Sequence, residues 1–347
     1  MAAQQNGFSP AELAYLHDSL SLQPPIRPDG RGATQFRPLT AETGILPGTN
    51  GSARVCFSDG SEAIVGVKAE IEKTGAEWAG GQQVDVKTRD EWLEMTVEIP
   101  GQREDEATTV YLAEMLREAL LADGEFATKL RVNKGHHWRL YLDILLISPP
   151  LSYPLPLLSL TTHLALLATR IPRLKSEADE DPMFDDDWEA SEFLYPRQGV
   201  TSGSRPPITL LVAVVGNNIL FDPARQELAV AETALAVSVA EVRKPSAQQQ
   251  DTQGRNVQLL STRSIDPPSR LTPPGVSNAA NVATSGASSA TAQSTQRIVA
   301  NGQELGVWRA PVGGTKLAVL NQIIQTVLVK GGIAQDVLDA LEAIEVA

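Results

Sequence analysis

The sequence predicts a mixed α/β fold of the α+β kind, and three stretches carry that reading. Trp138 to Ile147 has the aromatic and aliphatic density of a strand buried on both faces, stopped by Ser148-Pro149-Pro150. From Leu157, the apolar residues Leu160, Leu164, Leu167 and Ala168 recur at helical spacing, so the strand feeds a helix that ends before Pro172. Upstream, the runs Ser52 to Phe57 and Glu62 to Ile71 flank Ser58-Asp59-Gly60-Ser61 and read as a β-hairpin. One acid, Asp143, lies inside the central apolar run. An ionised carboxylate buried there needs a fixed donor, so it reads as a structural acceptor before it reads as a reactive acid.

Taken in order, the chain opens with a helix. Ser9 is its cap, Pro10 its first residue and Glu12 the other half of a capping box, while Leu13, Leu16 and Leu20 form the apolar stripe. The turn-forming segment Pro24-Pro25-Ile26-Arg27-Pro28-Asp29-Gly30-Arg31 follows, and then the hairpin. Val84 with Val86, and then Trp92, Met95, Val97 and Ile99, suggest further strands, so this half reads as a β-meander. Ala107 to Asp123 carries Val110, Leu112, Met115, Leu116, Ala119 and Leu120 mostly on one helical face and stops at Gly124.

Nine acids and no basic residue lie between Glu177 and Glu192, which predicts a solvated acidic loop over 177–205 and no metal cluster. Ile208 to Val215 and Ile219 to Phe221 read as a second hairpin around Gly216-Asn217-Asn218, and Asp222-Pro223 ends it. The second half of Gln226 to Val242 alternates as a strand. From Pro245 to Gln296 the chain is Ser, Ala, Gln, Asn, Thr and Pro without a hydrophobic period, which predicts a disordered insertion. Structure is expected to resume through Leu305-Gly306-Val307-Trp308 and two helices, Leu317 to Leu328 and Ile333 to Ile344. The expected organisation is an N-terminal helix and arm over 1–26, a domain over 27–244 and 297–347, and the insertion over 245–296.

A net charge of −13 argues against a chain that coats nucleic acid by itself, so any RNA contact is expected to be local or shared. The single cysteine, Cys56, has no partner for a disulfide or a zinc site, which fits a reducing compartment. No signal peptide or membrane span is read from the sequence. Among motifs, Gly313-Gly314-Thr315-Lys316 lacks the first glycine of a P-loop, and His136 and His137 point to opposite faces of a strand, so they cannot share a metal. No catalytic constellation or cofactor site emerges from pattern alone.

Resemblance goes further. Arg27-Pro28-Asp29-Gly30-Arg31 with Arg37, Gly51-Ser52-Ala53-Arg54-Val55, Val65-Gly66-Val67-Lys68-Ala69-Glu70 and Trp138 to Ile147 resemble the RNase PH family, in particular the non-catalytic ring subunits of the eukaryotic RNA exosome. The match runs from about Arg27 to the C-terminus outside the insertion. It implies an RNase PH-like fold of two βαβ-type halves around a shared core, the fold of the second domain of ribosomal protein S5. It also implies a scaffolding place in a hetero-hexameric ring that threads RNA for 3′ to 5′ processing, including ribosomal RNA maturation, and for decay.

The implied partners are the other RNase PH-like subunits, S1/KH cap subunits, an associated exoribonuclease and RNA, in nucleus, nucleolus and cytoplasm. Active members hold phosphate in a loop after the central strand. Here that place is Ser148 to Pro154, where prolines remove N–H donors. Active members also carry two acids six residues apart; Asp222 matches the first, and Leu228 stands at the second. Arg103 and Arg117 match positions that bind the RNA backbone, flanking the start of the first long helix. The resemblance therefore implies no catalytic residues; the alternatives are a sister ring subunit or a phosphorolytic exoribonuclease of the same family.

Overall fold

In the computed structural model, residues 8–74, 90–176, 180–196, 203–243, 255–265 and 315–344 are described. The elements are α1 (Pro10–Ser21), β1 (Leu39–Thr43), β2 (Gly51–Phe57), β3 (Glu62–Lys73), β4 (Leu93–Glu98), α2 (Ala107–Leu121), α3 (Glu125–Leu130), β5 (His136–Leu146), α4 (Leu155–Leu167) and β6 (Arg170–Ile171). After them come β7 (Glu192–Phe193), β8 (Gly203–Ser204), β9 (Ile208–Val215), β10 (Asn218–Phe221), α5 (Arg225–Leu228), β11 (Thr233–Arg243), β12 (Val257–Ile265), α6 (Leu317–Leu328) and α7 (Ile333–Glu342). The expected strand around Val84 and the segment Leu305 to Trp308 lie outside the described residues.

The first sheet has five strands in the order β1-β2-β3-β5-β4. The expected hairpin is β2 and β3, closed by the turn in which Gly60 takes a positive φ of 86°. The half is not a meander, because β4 lies at the edge and runs parallel to β5. A parallel neighbour needs a crossover, and α2 with α3 supplies it. Inward residues share rows, as in Val97, Ile144, Val65 and Ala53, and α2 packs against β4 while α4 packs against β2 and β3.

Burial on β5 alternates, which corrects the reading of a strand buried on both faces. Leu140, Leu142, Ile144 and Leu146 are buried, whereas Arg139, Tyr141, Asp143 and Leu145 lie on the other face. Asp143 is exposed there and accepts a hydrogen bond from Thr96 Oγ1 at 2.9 Å, so it needs no buried counter-charge. α4 is the element buried all round, with every residue from Leu155 to Leu167 inside. Its Thr161 and Thr162 satisfy their hydroxyls on carbonyls four residues back, at 2.7 and 2.8 Å.

The second sheet runs β10-β9-β11-β12, with β8 on β11. β9 is buried at every position, and β9 with β10 forms the second expected hairpin around Gly216. β12 corrects the expectation of a disordered insertion over 245–296: residues 257–265 form a strand, and the rest of that stretch except Arg255 and Asn256 lies outside the described residues. The cause is long-range. Arg255 Nε donates to Asp339 Oδ1 at 2.6 Å, Nη2 donates to Glu342 Oε2 at 2.5 Å, and Glu241 is a third carboxylate partner. These contacts tie the start of β12 to β11 and α7, and the carboxylates hold the Arg255 guanidinium protonated even though burial opposes its charge.

Of the expected acidic loop over 177–205, residues 180–196 and 203–205 are described. β6 pairs with β7, Leu174 bridges Phe184, and the Phe184 ring sits 4.9 Å from that of Trp138. The apolar stretch Leu317–Glu342 is long enough in sequence to cross a membrane, but it consists of two helices of 12 and 10 residues separated at Gly331, whose φ is +68°. Each is shorter than the roughly 20 residues a bilayer requires.

Two compact units divide the described chain. The first holds residues 8–36 and 211–236 with the described parts of 263–320; the second holds 37–210, the described parts of 237–262, and 321–344. The division after Phe36 differs from the expected boundary at residue 26. The segment Arg27 to Phe36 belongs with α1, because Arg27 and Arg31 are anchored on residues of 221–227.

Candidate functional site

Within the first unit, the Arg27 to Arg31 segment builds a buried ionic knot. Gly30, at φ +76°, closes a turn whose Gly30 N–H donates to Arg27 O at 3.1 Å. Arg27 Nε and Nη2 donate in parallel to the two carboxylate oxygens of Glu227 at 2.6 and 2.7 Å, both side chains being fully buried. Its remaining donors meet the carbonyls of Gly32, Phe221 and Asp222 at 3.0 to 3.1 Å.

Arg31 Nη1 donates to Asp222 Oδ2 at 3.0 Å and Nη2 to Asp222 O at 3.1 Å, while Nε donates to Asp29 Oδ2 at 2.6 Å. Burial acts to raise the pKa of Asp29, but the Arg31 hydrogen bonds and the charges of Arg31 and Arg27 outweigh it and hold it below the usual carboxylate range. Asp222, the position matching the first acid of active relatives, is 1% exposed and takes a positive φ of 47°. Its carboxylate is spent on Arg31 inside the fold. Leu228, at the second acid position, is also buried.

Sequence reading missed Glu227. The local signal for it was present, since Glu227 Oε2 also accepts the Ala224 N–H at 2.7 Å, closing the short turn that begins α5.

Within the second unit, the loop after β5 is closed on protein groups. Ser148 Oγ accepts the Glu62 N–H at 2.9 Å, and Ser152 Oγ accepts from Arg37 Nη1 at 2.8 Å. The same Arg37 nitrogen donates to Asp59 Oδ2 at 2.6 Å, and the guanidinium lies 4.7 Å from the Phe57 ring centre. Burial tends to raise the pKa of Asp59, and the Ser61 N–H and the Arg37 charge overcome it. Pro149, Pro150 and Pro154 offer no N–H, and Pro156 removes another at the first turn of α4, where an anion would otherwise find donors. Burial raises the pKa of Tyr153 far above its ordinary value, with the neighbouring Tyr111 adding to the effect, so its phenol stays protonated.

The two arginines matched to RNA contacts differ in their surroundings. Arg103 precedes α2 with its side chain 84% exposed and pairs with Asp105 at 2.7 Å. Arg117 lies ten residues into α2, about 15 Å along its axis, rather than near its start. Its Nη2 donates to Asp90 O at 2.7 Å and its Nη1 to Glu114 Oε2 at 3.3 Å, so it fixes the chain entering β4. His136 and His137 point to opposite faces as expected; His137 is buried and stacks on Trp92 with centroids 4.2 Å apart.

The profile of the 3′ exoribonuclease family, domain 1 (RNase_PH), matches residues 35–172. The exosome complex component RRP42 of Saccharomyces cerevisiae is 37% identical over 237 residues, covering 67% of this chain and 81% of that protein. The corresponding Schizosaccharomyces pombe component is 33% identical over 244 residues, covering 66% and 77%. A solved Archaeoglobus fulgidus exosome with RNA bound to the active site contains a chain that superposes with a TM-score of 0.50 at 18% identity, over 73% of this chain and 86% of that one, which is a likeness of fold. With the two buried arginines of the RPDGR segment anchored on Asp222 and Glu227, a five-stranded sheet carrying the family profile and relatives matched over most of their length, this chain belongs to the RNase PH family, on the branch of the RRP42-type exosome components.

Proposed function

We propose that the chain is a non-catalytic ring subunit of an RNA exosome, shaping the channel for 3′ to 5′ processing and decay without cutting RNA itself. The observation that carries the reading is the state of Asp222. Phosphoryl chemistry relies on positioned charge at the reacting atoms, and this carboxylate is buried and committed to Arg31. Leu228 at the second acid position and the proline-rich loop at the phosphate position support the same conclusion. The partners in this reading are the other RNase PH-like subunits, S1/KH caps and an associated exoribonuclease, in nucleus, nucleolus and cytoplasm. Arg103 would meet the RNA backbone directly, and Arg117 would hold the neighbouring strand in place.

The test is release of nucleoside diphosphates from a 3′-tailed RNA by the purified chain in phosphate buffer. Loss of one oriented donor alone can cost about a hundredfold in rate, so release at background is expected. Phosphate-dependent release that co-purifies with the chain would sink the scaffold reading. Co-expression with ring subunits should carry the chain into a hetero-oligomer on size-exclusion chromatography.

A further inference from the structure

We infer that the outer face of the five-stranded sheet, at the end where β5 finishes, seats a neighbouring ring subunit on an aliphatic patch formed by Ile64, Leu145 and Ile147. The inference rests on the ring-subunit reading, and adds which surface makes the contact and what charge the neighbour brings to it. α2 and α4 pack on the inward rows of the sheet, whereas Leu145 and Ile147 on the outer face are 41% and 42% exposed.

The outward residues change character along the same two strands. Toward the start of β5 they are charged or polar: Glu70 stands opposite Arg139, and Lys68 opposite Tyr141, with Glu94 on the far side of Tyr141. Water on an antiparallel face favours such rows. Past Gly66 and Asp143 the rows turn aliphatic, with Ile64 opposite Leu145 and then Ile147, whose N–H donates to Glu62 O at 2.9 Å. Leu46 adds to this side of the sheet, because a Cβ on Gly66 would stand 3.3 Å from Leu46 Cδ1. Solvation gives no reason to gather aliphatic side chains at one end of a face. Gathered there within a charged border, they have the anatomy of a protein contact, an apolar core inside a polar rim.

The border sets the sign of the partner. On one flank Arg54 is already spent, its Nε 2.6 Å from Glu62 Oε1 and its Nη1 3.7 Å from Glu42 Oε2. On the other flank Glu98 stands opposite Leu145 in the β4–β5 register, exposed and without an ion pair among the described residues. Acids therefore outnumber bases around the patch, on a chain of net charge −13, and a second copy would set like charge against like. The complementary occupant is a different chain, one that lays aliphatic side chains on Leu145 and Ile147 and a lysine or arginine against Glu98. All of these residues lie in the second unit, so the patch is complete within it.

The experiment co-expresses the full chain with the other RNase PH-like subunits and labels accessible carboxylates with carbodiimide and glycine ethyl ester, read by mass spectrometry. Labelling of Glu98 should fall severalfold between the isolated chain and the assembled ring. The double variant Leu145→Asp, Ile147→Asp should weaken assembly by about tenfold or more, the scale on which interface anchors act, while Glu70→Lys at the other end of the same face leaves assembly unchanged. Both replaced aliphatic residues are part exposed, so an unshifted circular-dichroism melt will show that the double variant is folded, and the Glu98 labelling needs no variant. Full assembly of the double variant, equal loss with Glu70→Lys, or Glu98 labelling unchanged in a formed ring would overturn the assignment and leave the chain a ring subunit. A homodimer of the chain alone that the double variant dissolves would make the occupant a second copy and overturn it too. A chain that stays monomeric beside the other subunits would overturn both the contact and the ring reading.

Discussion

Arg27 shows how much a single side chain can decide. It makes six hydrogen bonds, two to the Glu227 carboxylate and four to backbone carbonyls, and Glu227 has no other cation in hydrogen-bond reach among the described residues. Removing one member of a buried pair strands the other, so Arg27→Ala should cost about 3–5 kcal/mol in chemical denaturation. Arg103→Glu, on an exposed side chain, should change stability by no more than about 0.5 kcal/mol while lowering RNA retention by an assembled ring. His163 gives a pH signature. Burial lowers its pKa to about 4, outweighing the carbonyl of Pro206 that lies 2.9 Å from Nδ1.

The unfolded chain binds a proton at this histidine near pH 6.5 and the folded chain does not. Its contribution is therefore fully present above about pH 6.5 and is lost as pH falls toward 4, on the order of 3 kcal/mol in all. The urea midpoint should drop between pH 7 and pH 5, and His163→Gln, whose amide can still reach Pro206 O, should shrink that drop. At this scale the sequence was legible where the signal was local. The capping box of Ser9 and Glu12 is present, with Ser9 N–H donating to Glu12 Oε2 at 2.6 Å. Asp143 is the structural acceptor expected, but its burial was misread because its apolar neighbours Tyr141 and Leu145 share its uncovered face, which nothing in the local pattern reveals.

Elements divide by the range of the forces that hold them. The β2–β3 hairpin, α2, α6 and α7 declare themselves through turn residues and periodicity, and the structure has them within a few residues of expectation. β1 was missed, since Leu39–Thr43 is an edge strand with no buried residue, and so was α3, six residues long and without a side-chain cap. β12 was hidden for a different reason. Its Ser, Thr and Gln content carries no hydrophobic period, and its anchor is Arg255, whose partners Asp339 and Glu342 lie more than 80 residues away.

Arg255→Ala should consequently strip hydrogen-exchange protection from Val257–Ile265 while leaving β2 and β3 protected. Gly51 supplies a packing test. A Cβ there would stand 2.5 Å from Thr169 Oγ1 and 2.6 Å from its Cα, so Gly51→Ala forces backbone apart and should cost at least about 1–3 kcal/mol in thermal or urea unfolding.

For the whole molecule, charge and connectivity set the behaviour. At −13 the isolated chain should bind RNA weakly and with a shallow dependence on salt, few phosphates being neutralised, and affinity should rise when neighbouring subunits contribute cations. Tight, salt-resistant binding by the chain alone, measured by anisotropy, would contradict a shared channel. The family resemblance carried the functional reading further than composition could, because the paired acids of active relatives are a question of two positions, 222 and 228, and not of overall pattern. The Arg27 knot has a further consequence in time. Its two halves are 200 residues apart, and a ribosome adding about 5–20 residues per second needs on the order of 10–40 s between making Arg27 and making Glu227. Throughout that interval the nascent chain carries an arginine whose bidentate carboxylate partner has not yet been translated, so the first unit closes late in synthesis, after most of the five-stranded sheet has left the tunnel.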